Sequence, residues 1–312
     1  MSSKVILVTG GNKGIGYAIV RKLAINYASS SPTQPLTILL TARNPTLGQS
    51  STEKLLEELK PKNILVNDGG NIDLKYVRLD LTDEQSINDV KEFIAKDYGG
   101  LDVLINNAAM AFKGNAFDIN VVRTTFATNF YGTLNVINIL YPLIRPNGRI
   151  VNVSSTAGKS HILSDALKQE FSKEDLEIDG LIGLLKRFED AVEKGTYEQD
   201  GWPRQAYGVS KVGVTILSRI LGRRADKEGK NIKIFACCPG WVKTDMAGDK
   251  APLTPGMYSL SLCIMYIFES FEANILFLKD QGAETPVLLA LGESMNSEEN
   301  GTFWKDGKLN QW

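Results

Sequence analysis

The chain has 312 residues, 43% hydrophobic and 23% charged. That length allows one large α/β unit or two small ones, and a chain this long buries a core without covalent staples. With 35 Lys and Arg against 36 Asp and Glu, a net charge of −1 and no block of like sign, the sequence excludes a nucleic-acid footprint.

The predicted elements alternate along the chain. Val5–Thr9 reads as a strand and Ile15–Ile25 as a helix; Leu36–Thr41 is the next strand, followed by a helix over Glu53–Lys60. Leu74–Leu79 is a third strand, then comes a helix over Ser86–Lys96 and a fourth strand, Val103–Ile105. One long helix is expected over Thr124–Leu143, a fifth strand over Arg149–Val153, a helix over Tyr207–Ala225 and a sixth strand over Ile232–Ala236. Strands such as Val5-Ile6-Leu7-Val8 are continuously apolar, as in a parallel sheet covered on both faces. The expectation is a single doubly wound α/β domain with a parallel sheet and helices on both faces.

Thr9-Gly10-Gly11-Asn12-Lys13-Gly14-Ile15-Gly16 joins the first strand to the first helix. Gly10 permits a tight turn, Gly14 a close approach of backbone to a pyrophosphate, and Gly16 close helix–strand packing. The helix N-terminus then offers N–H groups to the phosphates. Gly10, Asn12, Lys13, Gly14, Ile15 and Gly16 are therefore expected to hold a dinucleotide. An acidic residue after the second strand would suit NAD, but this one runs into Arg43 and Asn44. Arg43, with Lys13, can pair a 2′-phosphate, so the expected cofactor is NADPH.

Tyr207-Gly-Val-Ser-Lys211 puts two polar side chains one helical turn apart. A lysine charge beside a phenol should lower its pKa and make it a tuned proton donor. Ser154 and Ser155 end the fifth strand, at the edge of a parallel sheet where ligands bind. One histidine, His161, and no CxxC argue against a zinc site. Cys237 and Cys238 read as small buried hydrophobes and Cys263 gives no disulfide pattern.

The G-x-x-x-G-x-G spacing, Tyr207-x-x-x-Lys211 and the Ser155 strand end, in this order, resemble the short-chain dehydrogenases/reductases, and monomeric carbonyl reductases in particular. The resemblance covers about 4–256 and 282–312 and implies a Rossmann-type fold. It implies catalysis by Asn129, Ser155, Tyr207 and Lys211, with Ser154 as the alternative serine. Asn129 would hold a water linked to Lys211, although a buried helical Asn needs some partner in any case.

The resemblance further implies cofactor contacts from Asp80, Leu81, Asn107, Pro239, Gly240, Val242 and Thr244, besides Tyr207 and Lys211. Trp241 would line the substrate pocket or serve as plain core. Asp80 equally suits a place beside a helix N-cap. Ala109 stands where the family usually has Gly. The reaction implied is reduction of ketones, aldehydes or quinones by hydride from NADPH, with Tyr207 donating the proton. A dedicated ketoreductase or alcohol dehydrogenase with one substrate, and an idle NADPH-binding regulator, are the alternatives. Glutathione conjugates, bound near Cys237 and Cys238, are a minor one.

The long stretch between Ser155 and Tyr207 predicts a helical insertion at about 159–201, ending in Gly201-Trp202-Pro203. It resembles the monomeric members, so a monomer is expected. A second, strongly apolar insertion at about 257–281 has no counterpart in the resemblance. A substrate lid, a membrane-surface helix and a translated unspliced intron all fit it, while Glu269 and Glu272 argue against a span. The first strand opens at Lys4 without a secretory leader and the closing Asn310-Gln311-Trp312 is no sorting address, so a cytoplasmic protein without stable membrane association is expected.

Overall fold

The computed structural model describes residues 3–240, 271–292 (main chain only for 271–280) and 300–312. Eight strands form one sheet in the order β3-β2-β1-β4-β5-β6-β7-β8. These are β1 (Lys4–Val8), β2 (Leu36–Ala42), β3 (Ile72–Arg78), β4 (Leu101–Asn106), β5 (Ile144–Val153), β6 (Lys233–Cys238), β7 (Phe303–Lys305) and β8 (Lys308–Asn310). All neighbours are parallel except β7 and β8, a short antiparallel hairpin at one edge. The order reverses between β1 and β4, and in open α/β sheets ligands sit in the crevice beyond the strand ends at such a point.

Helices cover both faces. On one side α1 (Gly14–Ser29), α2 (Pro45–Leu59) and α9 (Phe271–Leu291) meet Ile6, Val8, Ile38, Ile105 and Phe235. On the other lie α3 (Glu84–Tyr98), α4 (Ile119–Phe126), α5 (Thr133–Leu140), α6 (Asp165–Ser172), α7 (Ile178–Lys194) and α8 (Ala206–Glu228). Their core contains Leu7, Leu104, Phe126, Phe188 and Leu217. The doubly wound parallel architecture is thus the one expected, because strands buried on both faces leave no other layer arrangement.

Several boundaries differ from expectation. The second helix starts at Pro45, well before Glu53, because the Asn44 side chain accepts from Leu47 N at 3.0 Å and Pro45 suits the first helical position. The long helix expected over Thr124–Leu143 is α4 and α5 joined by a π-helical turn, Ala127–Gly132, and ends in a 3₁₀ turn at Tyr141–Leu143. Its N-terminus is set by Asp118, which accepts from Val121 N at 2.9 Å. β5 begins at Ile144 and β6 reaches Cys238, both longer than their apolar runs suggest. β7 and β8 are too short for periodicity to show.

The insertion at about 159–201 holds α6 and α7, packed through an aromatic cluster. Phe188 stacks on Phe126 at 5.8 Å and lies 5.2 Å from Trp202, which meets Phe171 edge-on at 6.0 Å. Of the second insertion, 257–270 lies outside the described residues, and from Phe271 the chain is already helical. α9 continues past 281 without a break.

Candidate active site

Two loops meet at the switch point. Gly10 and Gly14 take φ of +65° and +57°, and a Cβ on Gly16 would come within 2.1 Å of the Gly10 carbonyl oxygen. The turn can therefore close only with glycine there. Lys13 is the N-cap of α1, and no side chain caps that helix or places an acid in its first turn. The first-turn amides around Gly14, Ile15 and Gly16 thus form an uncapped, electropositive cradle of the kind an anion fits. Asn12 is tied through its carbonyl to the Ser51 hydroxyl at 2.7 Å.

Asn107, expected near a ribose, uses its side chain to brace this turn. Its Nδ2 donates to Thr9 O at 2.9 Å and Gly10 O at 3.2 Å. Thr9 Oγ1 accepts from the amides of Asn107 and Ala108 at 2.9 and 3.0 Å. The sequence reading missed Thr9; the signal was a buried hydroxyl ending a strand beside the glycine turn.

Lys13 and Arg43 are both exposed, at the start of α1 and just past β2. Asp80 follows β3, and its Oδ1 accepts from Thr82 N and Thr82 Oγ1 at 3.0 and 2.8 Å. Burial pushes that carboxyl up, but the Thr82 bonds and the Arg43 and Arg78 charges outweigh it and leave it below its ordinary value. The N-cap of α3 is Asp83 rather than Asp80. Leu81 is buried in the core, so its side chain serves packing and only its main chain is left for a ligand.

The second cluster is built on α8, which starts one residue before Tyr207 and carries Lys211 one turn later. Lys211 Nζ sits 5.7 Å from the centre of the Tyr207 ring and donates to Val153 O at 2.7 Å. Lys211 is 3% exposed. Burial lowers its pKa to about 8, against a smaller opposing effect of Cys237 and Cys238. Burial raises the Tyr207 pKa to about 12; the Ser155 hydrogen bond pulls it down and Cys238 pushes it up. This corrects the expectation that Lys211 lowers the phenol. The ammonium is spent on the Val153 carbonyl, and desolvation dominates. Tyr207 is accordingly held as a neutral phenol.

The two serines separate cleanly. Ser154 is buried, with Oγ 3.0 Å from Lys211 O and 2.7 Å from Thr215 Oγ1, and it tethers β5 to α8. Ser155 reaches Tyr207 and accepts from Ala157 N at 3.1 Å. Asn129 lies in the π-helical turn and is fully engaged. Its Oδ1 accepts from Met110 N at 2.8 Å, and its Nδ2 donates to Met110 O at 2.9 Å and Ser210 Oγ at 3.1 Å. Ser210 Oγ donates in turn to Tyr207 O at 2.7 Å. Asn129 therefore joins the cluster through Ser210, a link the sequence did not reveal.

Cys238 closes the floor: Thr156 N lies 3.4 Å from its Sγ. Cys237 is fully buried, and burial drives its thiol pKa far up. Pro239 and Gly240 follow β6 directly. Trp241, Val242 and Thr244 lie outside the described residues. Among the described residues, no group of three or more His, Cys, Asp and Glu could hold a metal ion, and no helix is long and apolar enough to cross a membrane. A cavity of about 590 Å³ opens beside Lys4, Tyr27, Gln34 and Glu284, at the start of β1. It shares no residue with either cluster.

The short chain dehydrogenase family model matches residues 4–166. The Homo sapiens protein named carbonyl reductase (NADPH) 1 is 40% identical over 316 residues, spanning 99% of this chain and 98% of its own length. Among solved structures, salutaridine reductase from Papaver somniferum superposes with a TM-score of 0.72 at 24% identity, over 96% of this chain and 99% of that one. An NADPH-bound carbonyl reductase from chicken fatty liver gives 0.63 at 22%, over 100% and 95%. These two likenesses are of fold.

Proposed function

The chain belongs to the short-chain dehydrogenase family, and we propose that it reduces ketones, aldehydes or quinones to alcohols with NADPH. The observation that carries this reading is the convergence of the Ser155 hydroxyl, the neutral Tyr207 phenol and the buried Lys211 charge at the switch-point end of the sheet. The uncapped α1 cradle fits a pyrophosphate, and exposed Lys13 and Arg43 suit an added phosphate on the ribose. Asp80, with the main chain of Leu81, is assigned to the adenine side. Pro239, Gly240, Val242 and Thr244 are assigned to the nicotinamide side, and Trp241 to the substrate pocket. The relatives' names point the same way.

NADPH, when bound, supplies the hydride. The hydroxyls of Ser155 and Tyr207 donate to the substrate carbonyl oxygen. As the carbonyl carbon accepts hydride, Tyr207 passes its proton to that oxygen, and solvent later restores the phenol. A pKa raised by burial keeps Tyr207 protonated until that step. Lys211, fixed on Val153 O beside the Tyr207 ring, is assigned to hold the cofactor's ribose. Asn129 holds Ser210 and, through it, the Tyr207 carbonyl at the start of α8. The protein acts as a monomer, with α7 of the insertion packed against α4 and α8 and held by the contact of Phe188 with Trp202. Its buried free thiols Cys237 and Cys238 suit a reducing compartment such as the cytosol.

The test is loss of nicotinamide absorbance with NADPH and with NADH over quinones, aromatic aldehydes and diketones. NADPH should be preferred. Tyr207→Phe should lose roughly 10²- to 10⁴-fold in turnover while NADPH affinity stays near wild type. Equal loss of both would remove Tyr207 from the proton-transfer role. Tight NADPH binding without turnover would mark an idle regulator.

A further inference from the structure

Ser155 is followed by a 3₁₀ turn, Thr156–Gly158, that has partners on every side. Its inner surface lies flat on α8: a Cβ on Gly158 would come within 2.5 Å of Lys211 C and 2.7 Å of Val212 N. Its floor is β6, through Thr156 N and Cys238 Sγ. Its outer surface, with the two residues after it, is held by the last residue of β8 and by Trp312 beyond it. The Trp312 indole Nε1 donates to Gly158 O at 3.0 Å, Ser160 Oγ donates to Trp312 O at 3.1 Å, and Lys159 Nζ bonds Asn310 Oδ1. The Trp312 ring packs against the core on the α8 side of the sheet.

We propose that Trp312 is a positioning residue for the Ser155 hydroxyl, acting through the Thr156–Gly158 turn; this rests on the reading of Ser155 and Tyr207 above. The hydroxyl is oriented by Ala157 N, and Ala157 sits between the two residues of the turn that distant elements grip. Without the indole donor, Gly158 O loses its long-range partner, and the turn itself is left with its local bonds from Gly158 N to Ser155 O at 3.0 Å and from Lys159 N to Thr156 O at 3.3 Å. Ser155 then has more than one orientation towards Tyr207 and the substrate oxygen. Reactions of this kind lose rate steeply with small misplacements.

The test compares Trp312→Phe, which keeps a ring and removes the donor, in the wild-type and Ser155→Ala backgrounds. Single-turnover reduction is followed at high enzyme concentration so that weak activities are measured. The expected result is about a tenfold fall in rate in the wild-type background, unchanged NADPH affinity, and no further fall in the Ser155→Ala background. Ser160→Ala, which loosens the Trp312 main chain, should show the same pattern with a smaller fall, and it serves if Trp312→Phe folds poorly. An unchanged rate, or an equal fall in both backgrounds, overturns the proposal, since a merely structural role ignores whether Ser155 is present. A wild-type protein that reduces none of the carbonyls defeats the reading of Ser155, and the proposal with it. An active wild type with a Trp312-independent rate defeats the proposal alone.

Discussion

Lys211 takes a charge into a buried site where, among the described residues, the carbonyl of Val153 is its hydrogen-bond acceptor. Its folded pKa of about 8 lies below the ordinary 10.5, so the unfolded chain binds this proton more tightly. Stability is therefore withheld below about pH 8 and recovered as the pH rises from about 8 to 10.5. A shift of this size corresponds to at most about 3 kcal/mol at neutral pH. Lys211→Met should thus make the ligand-free protein more stable to urea at pH 7, with the advantage shrinking towards pH 10. A Met variant less stable than wild type at pH 7 would show that the Val153 bond outweighs desolvation. The Tyr207–Lys211 pair was legible because its members are four residues apart on one helix. The direction of the Tyr207 shift was not, because it depends on what β5 and β6 place around the hydroxyl.

At the scale of elements, α7 owes its position to aromatic packing. Phe188 is fully buried among Phe126, Phe117 and Trp202, rings contributed by three other parts of the chain. Phe188→Ala leaves a cavity and should cost about 3–5 kcal/mol in urea unfolding. The single-turnover rate of the folded fraction should stay unchanged, because the rings that Phe188 packs against are Phe117, Phe126 and Trp202, none of which belongs to the Ser155–Tyr207–Lys211 cluster. A stability loss below about 1 kcal/mol would mean that α7 collapses onto the gap. The π-helical turn at Ala127–Gly132 is a second case. One widened turn leaves the apolar periodicity intact, so the sequence reads as one helix. The widening becomes visible only where Asn129 meets the Met110 backbone. The start of α2, by contrast, was present in Asn44-Pro45 as a cap followed by a first-turn proline.

In the assembled fold α7 packs against α4 and α8, and the proposed monomer rests on that cover. Light scattering should give the mass of one chain at micromolar concentration. A stable dimer would require another surface, such as the edge strand β8, where Leu309 is exposed as is Leu288 of α9.

Short-range signals alone were enough to establish the β/α alternation, the glycine cradle and the Tyr207–Lys211 spacing, because each depends on neighbours within a few positions along the chain. The choice of Ser155 over Ser154, the bracing role of Asn107, the engagement of Asn129 through Ser210 and the grip of Trp312 on Gly158 are matters of tertiary structure. Ser154 meets Thr215, Asn107 meets Thr9, Asn129 meets Ser210 and Gly158 meets Trp312 across 61, 98, 81 and 154 positions of the chain, and only the folded sheet brings them within reach.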